Sequence, residues 1–181
     1  MNKLKFEEVM KLIDHIGDQE KHFNSLETEY RKLASQWLLV ALGAIGFVLS
    51  RENEMFIPPF ILVICIAVTA SIGILILWLL DLKVYHELLH AAFKEGVKLE
   101  QEYDDLPQIR TNMVKSQTGG DVIKRVIYYY FFSILLLMII ANISVWLVVQ
   151  SKLLNVCINM ASVVLIFFIL RLMICKRIRK F

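Results

Sequence analysis

The chain has 181 residues, of which 57% are hydrophobic and 20% charged, and its formal net charge is +3. Soluble domains are about 45–50% apolar and about 25% charged, so this composition excludes an ordinary soluble domain and predicts that much of the chain faces lipid. Basic and acidic residues nearly balance. This argues against direct binding to duplex nucleic acid, because proteins with that function carry a strongly basic patch.

Four apolar runs follow a polar N-terminal segment. A helix crosses a bilayer with about 20 mainly apolar residues, which the last three runs exceed and the first approaches. The predicted fold is therefore all-α: an integral membrane protein with four transmembrane helices and cytoplasmic helical extensions. The runs are residues 33–50, 55–80, 126–150 and 153–175.

These runs divide the chain into five parts. The connection between runs one and two and that between runs three and four are short, so each pair is predicted to form an antiparallel hairpin. The parts are a cytoplasmic amphipathic helix (1–32), a first transmembrane hairpin (33–80), a cytoplasmic helical extension and turn (81–122), a second transmembrane hairpin (123–175) and a basic cytoplasmic tail (176–181).

The basic residues predict the orientation of the spans. Of the 20 lysines and arginines, all but Arg51 and Lys152 lie in residues 1–36, in residues 81–125 or near the C-terminus. Positively charged loops stay on the cytoplasmic side of a membrane. We therefore expect a multi-pass membrane protein with both termini and residues 81–125 in the cytoplasm.

The N-terminal segment carries an apolar stripe with heptad spacing. Leu12, Leu26 and Leu33 occupy the companion phase of this stripe, with Gln19 as its one polar member. A sustained alternation of three and four residues predicts an amphipathic helix with a packing seam, here one helix from about Phe6 to Ser50. The residues that recur every seven positions, and are candidates for helix packing or oligomer contacts, are Val9, Ile16, Phe23, Tyr30 and Trp37.

The segment after the second apolar run has a similar stripe. Tyr85, Ala92 and Gly96 belong to it, and the two small residues allow close approach of a second helix. The pattern predicts one helix from Pro59 to about Asp104, ended by the following proline, Pro107. The two stripes are predicted to pack as a stalk, either within one chain or between chains.

Small and polar residues within the spans indicate further contacts. Gly43 and Gly46 place a small surface on the first span, which suits helix packing in a membrane. A set of polar residues in the third and fourth spans either forms hydrogen bonds between those helices or lines a pore that an oligomer opens. The pore-lining candidates are Asn142, Ser144, Asn155, Asn159 and Ser162.

Basic residues near a glycine turn are candidate ligand or lipid contacts. Gly119 and Gly120 precede the third span, and a helix N-terminus of this kind can hold a phosphate. No nucleotide-binding spacing is present, so contact with lipid headgroups is the alternative. The candidates are Arg110, Lys115, Lys124 and Arg125.

Residues 86–90 read His-Glu-Leu-Leu-His and match a zinc-binding helix motif. In that motif His86 and His90 would bind the metal and Glu87 would act as the general base. No third ligand follows at the extended spacing, and the apolar stripe leaves all three residues on the solvated side. We therefore expect no metal, no cofactor and no enzymatic activity, and keep the two histidines as weak metal candidates.

The layout resembles the small four-pass membrane effectors of bacterial anti-phage defence, such as SLATT-type proteins and the Hailong effector. The segment DLKVYHELLHAAFKEGVKLEQEYDDLPQIRTNM (residues 81–113) is similar to segments of other four-pass bacterial proteins. The resemblance covers the whole chain in layout and implies a homo-oligomer, commonly a tetramer, that stays silent until a cytoplasmic signal opens or disrupts the membrane. It assigns no individual site residue.

The function predicted from the sequence is an oligomeric membrane effector that acts as a channel or disrupts the membrane. A nucleotide or protein signal, supplied by a neighbouring gene, would reach the stalk. Two alternatives stay open at this point: a non-conducting membrane scaffold for a cytoplasmic partner, and a membrane zinc metalloprotease using His86, Glu87 and His90.

Overall fold

The computed structural model is helical throughout the regular structure that it describes, as the sequence predicts. The helices are α1 (Phe6–Ser50), α2 (Pro59–Leu79), a π-helical segment (Leu80–Tyr85), α3 (His86–Glu102), α4 (Ile109–Ser116) and α5 (Asp121–Val148). The described residues are 6–51, 56–103, 105–116 and 121–148, with 156, 159–162, 164, 167, 168 and 171 near the C-terminus.

α1 has the bounds that the sequence predicts. Its first turn carries Glu7 and Glu8, whose negative charges complement the positive end of the helix dipole. No proline interrupts its 45 residues. The amphipathic N-terminal half and the apolar C-terminal half of this segment therefore form one helix.

α2, the π segment and α3 form a second long helical stretch. It begins at Pro59, since proline suits the first helical position, and it ends at Glu102. The sequence predicts this stretch as one helix, but it gives no indication of the π segment. There the backbone N–H of His86 donates to the carbonyl oxygen of Asp81, five residues back rather than four.

The connection between the second and third apolar runs contains a helix that the sequence does not predict. The sequence predicts a helix ending near Asp104 and then a turn, whereas a further helix, α4, occupies Ile109–Ser116. α5 then begins at Asp121, directly after the glycine pair that precedes the predicted third span. Most of the predicted fourth span lies outside the described residues, and those described within it are helical.

Three helical stretches in the described part of the chain are long and apolar enough to cross a membrane. They are Phe6–Ser50, Pro59–Glu102 and Ile123–Val148. The chain divides into two compact units. The polar unit comprises the described residues of 1–32 and 78–121, and the apolar unit those of 33–77 and 122–171.

The apolar unit is held by small residues, aliphatic side chains and one buried tyrosine. The indole of Trp37 covers Gly73 so closely that a Cβ atom at Gly73 would lie 2.6 Å from Trp37 Nε1. The hydroxyls of Ser35 and Tyr129 are 2.6 Å apart and form a hydrogen bond. The core residues include Ala41, Ile45, Val63, Ala67, Ile74, Tyr130 and Leu137.

Candidate functional site

The most distinctive site is a charged cluster in the polar unit that joins α1 to the π segment. Asp81, the second residue of the π segment, is fully buried. The Arg31 guanidinium donates to both of its carboxylate oxygens, from Nε at 3.0 Å and from Nη2 at 3.2 Å. Nη2 also donates to Glu27 Oε2 at 2.7 Å. The other oxygen of Glu27 accepts a 2.9 Å hydrogen bond from His86 Nδ1.

This group of Glu27, Arg31, Asp81 and His86, the Arg31 cluster, ties both ends of the π segment to one turn of α1. A buried carboxylate is stable only when hydrogen bonds and opposite charge replace its water. Burial disfavours the charged form of Glu27, but the His86 hydrogen bond and the charges of His86 and Arg31 outweigh it and hold the pKa of Glu27 below its ordinary value. The cluster is therefore a charged network that favours the ionised form of Glu27.

Two tyrosines stack beside the Arg31 cluster. The rings of Tyr30 and Tyr85 have centroids 5.1 Å apart at an interplanar angle of 25°, and their hydroxyl oxygens are 3.5 Å apart. Tyr85 is the last residue of the π segment. The contact raises the pKa of Tyr30, chiefly through the hydrogen bond with Tyr85. Two residues predicted to pack, one from each stripe, thus meet within the polar unit.

A second cluster joins α1, α3 and α4. Arg110 donates from Nε and Nη2 to the two carboxylate oxygens of Glu20, at 2.8 and 3.2 Å. Its Nη1 lies 3.5 Å from Glu100 Oε1. The Arg110 side chain is 12% exposed and that of Glu100 only 1%. We call Glu20, Glu100 and Arg110 the Arg110 cluster.

Glu100 also explains why α4 is helical. Its Oε1 accepts the backbone N–H of Arg110 at 3.0 Å, and its Oε2 accepts that of Thr111 at 2.8 Å. These are first-turn N–H groups of α4, which have no partner within their own helix. Those hydrogen bonds, together with the Arg110 charge, outweigh the effect of burial and lower the pKa of Glu100. A carboxylate on α3 therefore caps α4, which no local sequence signal reveals.

The buried face of α1 differs by one position from the predicted stripe. Val9 is fully buried, but Leu12 and Leu33 are 40% and 44% exposed. Positions 13, 27 and 34 are more buried than the predicted companions 12, 26 and 33, although they include Glu27, whereas Gln19 and Glu20 are both half-buried. In the heptad series, Val9 is buried and Ile16, Phe23 and Tyr30 are half-buried. Apart from the contact of Tyr30 with Tyr85, the packing roles of both series stay a prediction.

The other packing candidates lie in varied surroundings. Gly96 is buried, and the Arg110 side chain passes directly over it. A Cβ atom at Gly43 or Gly46 would meet no atom within 4 Å, so both offer open surface. Ile16, Phe23, Tyr85 and Ala92 are half-buried.

The zinc-motif residues point in different directions. His86 faces α1 and bonds to Glu27, so its predicted place on the solvated side is wrong, whereas Glu87 and His90 are exposed. In the described part of the chain, no group of three histidine, cysteine, aspartate or glutamate residues is arranged to hold a metal ion. The role of His86 in the structure is thus its hydrogen bond to Glu27 within the Arg31 cluster.

The predicted pore residues that the structure describes include two that bond to their own helix. Asn142 Nδ2 donates to the carbonyl oxygen of Met138 at 2.9 Å, and Ser144 Oγ donates to that of Ile140 at 3.0 Å. Asn159 and Ser162 are helical and half-buried, and Asn155 lies outside the described residues. A role in a pore stays a prediction for all five.

The four predicted ligand or lipid residues separate into two kinds. Arg110 is mostly buried and engaged by two glutamates, so an external anion would have to compete with both carboxylates. Lys115, Lys124 and Arg125 are exposed. For Lys115, Lys124 and Arg125, contact with a ligand or a lipid stays a prediction. Arg110 has a structural role in the polar unit.

The charged clusters should make the stability of the polar unit sensitive to acid. Glu27 and Glu100 both have a pKa lowered from about 4.5, so the folded state binds their protons less readily than the unfolded chain. The stabilisation is complete above the unfolded pKa and is lost as pH falls from about 4.5 through the lower folded values. Amide hydrogen exchange of α3 and α4 between pH 7 and pH 3.5 should show this loss, and the Glu100→Gln variant should show a weaker pH dependence.

The chain matches no family model, and no curated protein or solved structure is significantly similar to it. The two clusters and the helices that carry them are therefore the basis for the function proposed below.

Proposed function

We propose that the protein is an oligomeric membrane effector of bacterial anti-phage defence. In this proposal it lies in the inner membrane with both termini in the cytoplasm, and it forms a channel or disrupts the membrane when a nucleotide or protein signal reaches the polar unit. The observation that carries the proposal is helix continuity. α1 and the stretch Pro59–Glu102 each run without a break from residues of the polar unit to residues of the apolar unit.

Exposed apolar side chains support a membrane location for the apolar unit. α1, α2 and α5 each present large apolar groups on their outer faces, a surface that a water-soluble monomer rarely exposes. Lipid is the natural environment for such faces. Examples are Leu39 at 68% exposure, Val40 at 68%, Ile72 at 54%, Phe132 at 60% and Trp146 at 68%.

The charged clusters support signal transmission as the role of the polar unit. Glu27, Asp81 and Glu100 are buried charges, each held by a partner on another helical element. Buried ion pairs add little net stability compared with apolar packing, but they specify one arrangement of helices and are costly to break singly. A signal that competes for one partner would therefore change how the helices pack.

Membrane-potential dyes in bacteria that carry the gene with its native neighbours, challenged with phage, test this proposal. We expect depolarisation before lysis, and the change Asn155→Leu, Asn159→Leu, Ser162→Leu should abolish it. Met160→Leu, an exposed apolar position in the same segment, is the matched control. If membranes stay polarised while the triple variant still protects the cells, the protein is a scaffold and the channel proposal is wrong.

A further inference from the structure

The π segment lies between α2 and α3, where Asp81 and His86 of the Arg31 cluster bond to α1. Such segments are rare within long helices and occur often at functional sites. Here Asp81 lies inside the π segment, and His86 comes directly after it. Both bond to the same turn of α1, so α1 holds the wide turn at both ends.

A π turn changes which face of the following helix is buried. It takes up about one residue more than the α-helical turn it replaces, and one α-helical residue corresponds to a rotation of about 100°. If residues 80–85 became α-helical, each residue that now faces inward would rotate outward, and the residue before it in the sequence would take its place. Val84 would thus replace Tyr85 on the inner face, and Leu88 would replace Leu89.

The second register is apolar at positions 84, 88 and 91, whereas farther along Glu95 would take the place of the buried Gly96. Val84 and Leu88 are each 43% exposed although both are large and apolar, and they are four residues apart on one helical face. Ala91 precedes Ala92, and Leu99 precedes the buried Glu100. A one-residue rotation would therefore bury apolar groups that now meet solvent.

We propose that the polar unit has two packing registers, and that the π segment is the element that switches between them. In the register of the structure, the Arg31 cluster holds residues 80–85 in π form, and Tyr85 stacks on Tyr30. In the second register these residues are α-helical, and α3 packs Val84 and Leu88 against α1 of the same chain. A protein with two such packings shifts between them when a contact that favours one of them is lost.

This inference deepens the proposed function. It rests on that function in one respect, namely that the second register is the response to the signal. Release of Asp81 or Glu27 from Arg31 is the event that frees the π segment. The change is a rotation of α3 about its own axis within the polar unit, so a measurement on α3 detects it without any membrane current.

Cysteine labelling of the full-length protein in isolated membranes tests the two registers. Single cysteines replace Leu88, Leu89 or, as a control on the exposed face of α1, Thr28, in a background whose Cys65, Cys157 and Cys175 are replaced by serine. The parent is compared with Arg31→Met, which frees the π segment, and with a variant lacking Lys83. That deletion removes the extra residue of the π turn, so α3 should keep its present buried face and serve as the control for register. The probe is a water-soluble maleimide.

The proposal predicts reciprocal changes in labelling rate. In Arg31→Met the rate at Leu88→Cys should fall several-fold, that at Leu89→Cys should rise several-fold, and that at Thr28→Cys should stay the same. In the variant lacking Lys83 all three rates should stay close to those of the parent. Unchanged rates at Leu88→Cys and Leu89→Cys in Arg31→Met would overturn the proposal. A rise at both would also overturn it, since the polar unit would then have come apart instead of rotating. Either result leaves the channel proposal standing, because no step measures conduction.

Discussion

Replacing Arg31 with methionine is expected to destabilise the polar unit by about 3 kcal/mol, the lower end of the range for breaking a buried ion pair. The lower end applies because the Arg31 side chain is 32% exposed, whereas Asp81 is fully buried. The variant removes two hydrogen bonds from the Asp81 carboxylate and one from Glu27. Amide hydrogen exchange in α3, measured on the protein in detergent micelles, reports this local free energy.

Two comparisons distinguish the buried pair from a general loss of charge. Lys32→Met removes the neighbouring, exposed positive charge and should change the exchange of α3 little. Adding Asp81→Leu to Arg31→Met should recover much of the loss, because apolar groups often replace both members of a buried pair at little cost. If the double variant is no more stable than Arg31→Met alone, burial of the Asp81 charge is not the cause.

The sequence predicts the long helices because their determinants are local. The bounds of α1 and the start of α2 at Pro59 follow from periodicity and from the position of a proline. Composition predicts a membrane protein, since 57% hydrophobic residues is more than soluble domains carry, and three helical stretches in the described part of the chain are long and apolar enough to cross a membrane.

The candidate site was predicted poorly because its determinants are distant in sequence. A hydrophobic pattern assigns every glutamate to solvent, so it placed Glu20 and Glu27 outside the seam. Glu20 bonds to Arg110 and Glu27 bonds to His86, and both partners are tens of residues away along the chain. The π segment is equally invisible, because its second residue, Asp81, is an ordinary polar residue until Arg31 is brought beside it by the fold.

Helix α4 illustrates the same limit in a different way. Residues 109–116 have no cap of their own in the sequence, and the connection that contains them contains glycine, proline and polar residues. The cap comes from Glu100 on the preceding helix, which accepts two N–H groups of the first turn. The sequence does not identify this cap, because Glu100 is one of several acidic residues in the charged segment before Pro107.

The Gly96→Ala variant tests the Arg110 cluster through steric contact alone. A Cβ atom at Gly96 would lie 2.5 Å from Arg110 Cδ and 2.6 Å from Arg110 Nε, closer than real Cβ atoms approach their neighbours. Arg110 would have to move, and its hydrogen bonds to Glu20 and its contact with Glu100 would lengthen. We expect a loss of about 2 kcal/mol, which is typical of overpacking, and faster hydrogen exchange in α4.

Gly17→Ala is the matched control for this variant. Gly17 also lies beside the Arg110 guanidinium, and a Cβ atom there would be 3.7 Å from Arg110 Nη2, an ordinary van der Waals distance. Alanine is favoured over glycine within a helix by about 1 kcal/mol, so this variant should slow exchange or leave it unchanged. Opposite signs for two identical substitutions around one arginine would show that the position of Arg110 governs the packing of α4. If Gly96→Ala is as stable as Gly17→Ala, the close approach of Arg110 to α3 does not contribute to the stability of the polar unit.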